Sequence, residues 1–248
     1  MLELKQFRHS AFCLKVRMVL QAKNLKYRVI EIIPGIGQIG ISRLSGQRQV
    51  PVLVDGENVV ADSSTIIRYI ETEHPNPKLM PDNPKQAAQV HLIEDWADTT
   101  LAKAVNQSLL NAAAIDRELR ICLLPKEVPI SLSQLMGNFP SQLISHTSQL
   151  LQQNQSQDLL SSLEHLSKLI QNNQWLVGDQ MSFADIAIAA QLSLLRFPKS
   201  SGEPLAGKGC PGFSDHPNLQ VLFDWRDRIE TTLMQSDLEQ SPKTKGND

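Results

Sequence analysis

A proline-rich stretch divides this sequence into two regions with different hydrophobic patterns. Four prolines fall within the eleven residues HPNPKLMPDNP, positions 74–84. Proline fixes its φ angle and has no amide hydrogen, so this stretch favours an extended connection over a helix or a central strand. The sequence therefore predicts two domains, 1–74 and 85–238, joined by a linker over 75–84. The polar residues 239–248 are predicted to form a disordered tail.

The first region alternates between strand-like and helix-like segments. The short segments LELKQF, YRVIEII, VPVLV and NVVA are typical of strands, and Asp55-Gly56 marks a hairpin turn between the last two. The segments AFCLKVRMVLQAK and SSTIIRYIETE carry apolar residues at helical spacing. Their order predicts an α/β domain, in which helices cover the faces of a small four-stranded mixed sheet.

The second region has helical patterns only. They are KQAAQVHLIEDWADTTLAKAVNQSLLNAA, SQLLQQNQSQDLLSSLEHLSKLIQ, FADIAIAAQLSLL and NLQVLFDWRDRIETTLM. A less regular section, roughly 122–141, contains three prolines. The region is predicted to be an all-α helical bundle.

Composition and charge exclude several classes of function. The formal net charge of −2 provides no basic field that would attract nucleic acid. Three scattered cysteines suit a reducing compartment and form neither a disulfide framework nor a zinc pattern. The N-terminus lacks a signal-peptide pattern, and the most apolar segment is too short to span a bilayer. The sequence therefore predicts a cytoplasmic protein without a metal site, a nucleic-acid partner or a membrane partner.

The first candidate site lies where the first strand gives way to the first helix. Ser10 is at the predicted N-cap, and Cys13 follows three residues later. One interpretation is a helix cap followed by a buried cysteine. The other is a reactive site, because free N–H groups and the positive end of a helix dipole stabilise a nearby thiolate. Spacing alone leaves both interpretations open.

Two further candidate sites follow in the same domain. Pro51 begins a strand, and a bend there would expose the backbone of Val50 to an extended, peptide-like ligand. The bond between them is of the type that can be cis in tight turns. Asp62 and Ser63 precede a helix, where they could serve only as a cap. Alternatively, Ser63 and the free N–H groups would bind a carboxylate while Asp62 binds an amine, as the end of an α-amino acid requires.

Taken together, these residues resemble the glutathione transferase superfamily. The resemblance runs from residue 1 to about residue 235, and QVPVLVDGENVVADSSTIIRYIE is its most specific stretch. It implies a thioredoxin-like N-terminal domain followed by an all-helical domain. GDQMSFADIAIAAQL is similar to the capping segment of the family, in which Ser182 and Asp185 form a capping box with Asp in place of Glu. We assign this capping segment a folding role.

Within the superfamily, the first domain is similar to members that carry C-P-F-C-x-K-V-R. They include omega-like and glutaredoxin-like transferases and the thioredoxin-fold prostaglandin E synthase. Here the motif is SAFCLKVR, so Ser10 replaces the reactive cysteine of these relatives. Thiol–disulfide chemistry, which needs that cysteine, is not expected. Conjugation of the serine type, in which a hydroxyl donates a hydrogen bond to the bound thiolate, is compatible with Ser10, while Cys13 is expected to be structural.

The resemblance also implies a role for each candidate residue. Ser10 would stabilise the sulfur of glutathione. Val50 would pair its backbone with the cysteinyl unit, with Pro51 fixing the bend. Asp62 and Ser63 would hold the γ-glutamyl end, and Gln49 would lie near the glycyl carboxylate, where relatives often have Lys.

The leading hypothesis is a glutathione transferase that activates the glutathione thiol and conjugates it to small hydrophobic electrophiles, a detoxification chemistry. Glutathione is its co-substrate, no metal is needed, and the resemblance implies a homodimer. The alternatives are a non-catalytic module for binding or assembly and, ranked last, a glutathione-dependent isomerase or synthase.

Overall fold

Four strands form the sheet of the first domain. The computed structural model describes residues 1–33, 37–124, 149–171 and 173–239. Its strands are β1 (Leu2–Gln6), β2 (Tyr27–Glu31), β3 (Val52–Asp55) and β4 (Asn58–Ala61). They lie in the order β2-β1-β3-β4, in which β1 and β2 are parallel and the other two pairs are antiparallel. The predicted four-stranded mixed sheet is confirmed.

Helices connect and cover these strands. They are α1 (Ala11–Ala22), α2 (Gln38–Ser45) and α3 (Ser63–Glu73). The buried face of α3 is formed by Ile66, Ile67 and Ile70, as their helical spacing predicts. Helices α1 and α3 contact each other, and the candidate residues Ser10 and Asp62 are their N-caps.

The second domain is helical, as predicted. Its helices are α4 (Pro84–Trp96), α5 (Ala102–Ile115), α6 (Arg117–Cys122), α7 (Gln149–Ile170), α8 (Phe183–Leu195) and α9 (Gln220–Glu239). A π-helical segment, Ala97–Leu101, joins α4 to α5. Pro84, the last residue of the predicted linker, is the first residue of α4, a position that tolerates proline. Most of the predicted irregular section 122–141 and of the predicted tail 239–248 lies outside the described residues.

Helix α8 is the centre of the molecule. Every residue from Phe183 to Leu195 is buried. Asp185 accepts hydrogen bonds at its start from the backbone N–H and the hydroxyl of Ser182, both at 2.8 Å, and from the N–H of Leu176, also at 2.8 Å. The predicted capping box therefore exists, and it also ties the preceding loop to the helix.

One hydrophobic core extends through both domains. Buried residues of the first domain, such as Leu4 and Val19, belong to the same cluster as Ile188 and Phe223 of the second. Helix α1 packs directly on α8. The two domains are thus fixed against each other, and a cavity between them has defined walls. Across the described ranges, we find no helix with the length and apolar character that membrane crossing requires.

Candidate functional site

Five of the six predicted site residues line one cavity. The cavity has a volume of about 310 Å³, at the lower end of the range typical of small-molecule sites. Gln49, Val50 and Pro51 border it from the segment before β3, and Asp62 and Ser63 border it from the start of α3. Residues distant in sequence thus meet because the hairpin β3–β4 returns the chain to the same edge of the sheet.

The bend at Pro51 has the form that the sequence allowed. The Val50–Pro51 peptide bond is cis, and the proline ring is buried. Val50 is half-buried beside the cavity and lies just outside β3. Its backbone is therefore free of the sheet ladder and can pair with an extended ligand.

Asp62 forms the cap of α3. Its Oδ1 accepts hydrogen bonds from the N–H of Thr65 at 2.9 Å and from the hydroxyl of Thr65 at 3.1 Å. Its φ angle of 74° and ψ angle of 130° lie outside the left-handed helical region, in a conformation that is rare for residues other than glycine. One oxygen is thus committed to the cap, and the exposed carboxylate borders the cavity. The cap and the ligand-binding interpretations of this residue are compatible.

The second domain contributes residues to the cavity that the sequence argument missed. Asp95 at the end of α4, and Asp98 and Thr99 in the π-helical segment, form the opposite wall. Single π-helical turns inside helices are frequent at functional sites. Gln47, Phe12 and Ser64 complete the lining.

A buried lysine stands behind this wall. Lys15 is only 1% exposed, and its ammonium donates to Ser64 Oγ at 3.0 Å, to Glu94 Oε1 at 3.2 Å and to Asp98 Oδ2 at 2.5 Å. The sequence could have indicated that Lys15 is buried, because helical spacing places it on the same face as the buried Ala11 and Val19. A buried lysine requires a counter-charge, so the pattern calls for acidic partners elsewhere in the chain.

The cavity is lined by acidic side chains and, at one side, by the N-terminus of a helix. Asp62, Asp95 and Asp98 line it, whereas no lysine or arginine is among its lining residues within the described ranges. The N-terminus of α3, beside Ser63, contributes free N–H groups and the positive end of its dipole. Such a cavity suits a ligand that has an ammonium group next to a carboxylate.

Ser10 is not among the residues that line this cavity. It is the N-cap residue of α1 and borders a smaller cavity of about 70 Å³, which is also lined by residues between 193 and 201 of the second domain. Phe12, two residues later, lines the larger cavity. Its Oγ accepts a hydrogen bond from the N–H of Cys13 at 3.4 Å, so the predicted N-cap exists. The role of Ser10 toward the ligand therefore stays a prediction, because the lining of the larger cavity does not include it.

The charged side chains around Ser10 are those of Arg8, Arg17 and Glu31, so the balance of charge there is positive. Burial, together with the charges of Arg8 and Arg17, lowers the pKa of His9 to about 4. The guanidinium of Arg17 donates to Gln6 Oε1 at 2.5 Å and to the carbonyl oxygen of Arg8 at 3.2 Å, which fixes it beneath the turn. These charges and the N-terminus of α1 would stabilise an anion at the turn.

Cys13 faces away from both cavities. It is fully buried, and burial raises the pKa of its thiol, although a hydrogen bond from the N–H of Phe7 and the charge of Arg17 oppose the increase. A thiol in this environment is a poor nucleophile. The structure thus supports a structural role for Cys13. In the parts of the chain that the structure describes, no group of three or more metal-ligating side chains occurs.

The fold and the two cavities define a protein with a thioredoxin-like domain and a helical domain. Two family descriptions match the chain: glutathione S-transferase, N-terminal domain, over residues 4–78, and glutathione S-transferase, C-terminal domain, over residues 118–231. The chain belongs to the glutathione S-transferase superfamily. The predicted family and fold class are confirmed.

Individual relatives are distant. FtsZ-localized protein A of Caulobacter vibrioides (strain NA1000 / CB15N) is 25% identical over 74% of this chain and 72% of its own. A probable glutathione S-transferase of Glycine max is 26% identical over 89% of this chain and 87% of its own. The crystal structure of rice GST1 in complex with glutathione has 19% identity and a TM-score of 0.64, covering 97% of this chain and 92% of its own.

Proposed function

We propose that this protein is a glutathione transferase that binds glutathione, activates its thiol and conjugates it to small hydrophobic electrophiles. The observation that carries the proposal is the meeting of Gln49, Val50, Pro51, Asp62 and Ser63 in one cavity. Each supplies a group that a different part of the tripeptide requires. Membership of the superfamily, in which a structural relative is complexed with glutathione, supports the choice of ligand.

The γ-glutamyl end binds at the start of α3. Its carboxylate accepts hydrogen bonds from the hydroxyl of Ser63 and from the free N–H groups of the helix. Its ammonium pairs with the charge of Asp62, because the cap leaves that charge unneutralised. The ammonium of the amino-acid end is therefore matched by a carboxylate, and its carboxylate by the hydroxyl and N–H donors of the adjacent residue and helix start.

The other two units of glutathione extend along the cis bend. The backbone of Val50 pairs with the cysteinyl unit, and Pro51 fixes the direction of that backbone. The side chains of Gln49 and Gln47 reach the glycyl carboxylate as neutral donors. Neutral donors hold a carboxylate more weakly than Lys does, so the γ-glutamyl end supplies most of the binding free energy.

The thiol is activated at the N-terminus of α1. The hydroxyl of Ser10 donates a hydrogen bond to the thiolate, and Arg8, Arg17 and the helix dipole favour the anion. The thiol proton leaves to solvent, and the sulfur lone pair forms a C–S bond with the electrophilic carbon. In a substitution the leaving group departs with its bonding electron pair; in an addition the π electrons move to the neighbouring atom, which takes a proton from solvent. Phe12, which lines the larger cavity, contributes an apolar contact for that second substrate.

The proposal extends to the setting of the enzyme. It acts in the cytoplasm, and the reaction serves detoxification. The resemblance implies a homodimer in which the first domain of one subunit meets the helical domain of the other. Val59 on the edge strand β4 and Leu92 on α4 are exposed apolar residues on those two domains, at 38% and 70% exposure.

A non-catalytic binding or assembly module is the second candidate. It is favoured by one observation, namely that Ser10 Oγ is engaged in the cap and lies on the smaller cavity. Such a module would retain the fold without conjugating glutathione. Binding of glutathione without turnover of any electrophile would favour this candidate over the transferase.

Asp62→Asn tests the binding half of the proposal. Asn keeps the capping oxygen and nearly the same side-chain shape, so the negative charge is the main loss. We expect the dissociation constant for glutathione, measured by titration calorimetry, to rise about tenfold, since a hydrogen bond to a charged group is worth about 1.5–3 kcal/mol. The melting temperature should not change.

Asp116→Asn is the matched control. Asp116 caps α6 through hydrogen bonds from the N–H groups of Glu118 at 2.8 Å and Leu119 at 3.0 Å, and it does not line the cavity. Its substitution should leave glutathione binding unchanged. If Asp62→Asn binds glutathione as tightly as the wild type does, the assigned position of the ammonium is wrong.

A further inference from the structure

Lys15 lies behind the cavity and contacts helices of both domains. Its ammonium contacts Ser64 in α3, Glu94 in α4 and Asp98 in the π-helical segment. Ser64 follows Ser63 in the chain, and both Ser64 and Asp98 line the cavity. The lysine itself does not reach the cavity surface. It therefore touches the two walls from behind.

In the cluster of Lys15, Ser64, Glu94 and Asp98, the ammonium has three hydrogen-bond acceptors, whereas two of the carboxylate oxygens have no donor among the described residues. The hydroxyl of Ser64 accepts from Lys15 and lies 2.6 Å from Glu94 Oε1 and 2.9 Å from Asp98 Oδ2. Glu94 Oε2 and Asp98 Oδ1 are buried and have no hydrogen-bond partner among the described residues. Without the ammonium, the two negatively charged carboxylates would lie next to each other. They would share the Ser64 hydroxyl, which can donate only one hydrogen bond.

Other charges near the cluster are too distant or too exposed to replace the ammonium. Arg68 approaches Glu94 Oε2 at 4.0 Å, but its side chain is 48% exposed. Asp62 and Asp95, which also line the cavity, add negative charge. Lys15 is thus the group that fixes the orientation of the Asp98 carboxylate.

We propose that Lys15 is a positioning residue for glutathione binding, acting through Ser64 and Asp98. This inference rests on the proposed function of the cavity. Lys15 holds Asp98 back against Ser64, and so keeps the wall opposite Asp62 and Ser63 in the shape that admits the γ-glutamyl end. Loss of the ammonium would release the carboxylate of Asp98 into the cavity, where it would repel the carboxylate of the ligand.

The chain contains a matched control for the structural part of this role. Lys23 is also buried, at 4% exposure, and directly follows α1 as its C-cap residue. Its ammonium forms an ion pair with Glu71 and donates to the carbonyl oxygen of Pro77 at 2.6 Å. Lys23 does not line the cavity and contacts no residue that does. Lys15→Met leaves the buried carboxylate of Glu94 without its ammonium partner, and Lys23→Met does the same to the partly buried carboxylate of Glu71, so both should lose stability.

The experiment measures glutathione binding by calorimetry and the melting temperature for both single variants and for Lys15→Met/Glu94→Gln. The double variant removes the excess negative charge, so it should fold even if Lys15→Met does not. We expect both proteins that lack Lys15 to bind glutathione about tenfold more weakly than the wild type, a change of about 1.4 kcal/mol. Lys23→Met should bind within about twofold of the wild type at a comparable loss of melting temperature.

The outcomes separate this inference from the proposed function. If the wild type binds glutathione and the double variant binds it equally well, Lys15 has only a structural role and the inference is wrong. An equal loss of affinity in Lys23→Met would likewise show that destabilisation alone explains the effect. If the wild type does not bind glutathione at millimolar concentration, the proposed function fails, and the inference fails with it.

Discussion

Asp185→Ala should reduce the free energy of unfolding by roughly 3–5 kcal/mol, because it leaves buried donors without an acceptor. The carboxylate accepts hydrogen bonds from the N–H groups of Leu176 and Ser182 and from the Ser182 hydroxyl. The residue is fully buried at the start of α8, on which α1 packs. Alanine would remove three hydrogen bonds at the centre of the molecule. Urea denaturation followed by circular dichroism measures the loss.

Asp215→Ala provides the comparison at the surface. Asp215 is exposed, and its Oδ1 accepts a hydrogen bond from the N–H of Gly212 at 2.8 Å. Water can replace this carboxylate, so we expect a loss of less than about 1 kcal/mol. If the two variants lost similar amounts of stability, the capping box of α8 would not be the folding feature that we describe.

Ser10→Ala should lower kcat/KM for conjugation by about 100-fold, the effect typical of removing one hydrogen-bond donor from a developing or bound anion. The hydroxyl is the group that we propose to stabilise the thiolate. Its loss should also shift the pH–rate profile to higher pH, because the thiol of bound glutathione would then ionise less readily. Steady-state kinetics with several electrophiles, at varied glutathione and varied pH, would measure both changes.

The cap at Ser10 requires a separate control, since its loss alone costs roughly 1 kcal/mol of stability. Asn83 caps α4 by accepting from the N–H of Lys85 at 2.9 Å and from that of Gln86 at 3.3 Å. Asn83→Ala should lose similar stability and retain full activity. A Ser10→Ala enzyme as active as the wild type would exclude the thiolate role and favour the binding-module alternative.

The fold was predictable because its signals are local. Period-two and helical patterns identified the strands and helices, and Asp55-Gly56 identified the hairpin that β3 and β4 form. The Ser182–Asp185 capping box was evident from its spacing. In contrast, the π-helical segment could not be predicted, because its hydrogen-bond shift depends on how α4 and α5 pack and has no distinct sequence pattern.

The candidate site was predictable only on the side formed by the first domain. Val50-Pro51 and Asp62-Ser63 stand at strand and helix starts, where side chains and free N–H groups have recognisable roles. Asp98 lies on a helix whose face toward the cavity is decided by packing between the domains. The acidic wall therefore appears only in three dimensions.

Ser10 shows the limit of an argument from helix geometry. Its position at the N-cap was correctly predicted, yet that position does not determine which of two adjacent cavities it borders. Phe12, two residues further along the same turn, borders the larger one. Side-chain directions within one turn diverge, so Ser10 and Phe12 border different cavities.

A crystal structure of the protein with glutathione tests the central claim most directly. We expect electron density for the tripeptide in the cavity, with the γ-glutamyl end at Asp62 and Ser63 and the cysteinyl backbone paired with Val50. The sulfur should lie within about 3.5 Å of Ser10 Oγ, the range of a hydrogen bond that involves sulfur. An empty cavity at saturating glutathione, or a tripeptide bound elsewhere on the molecule, would contradict the account.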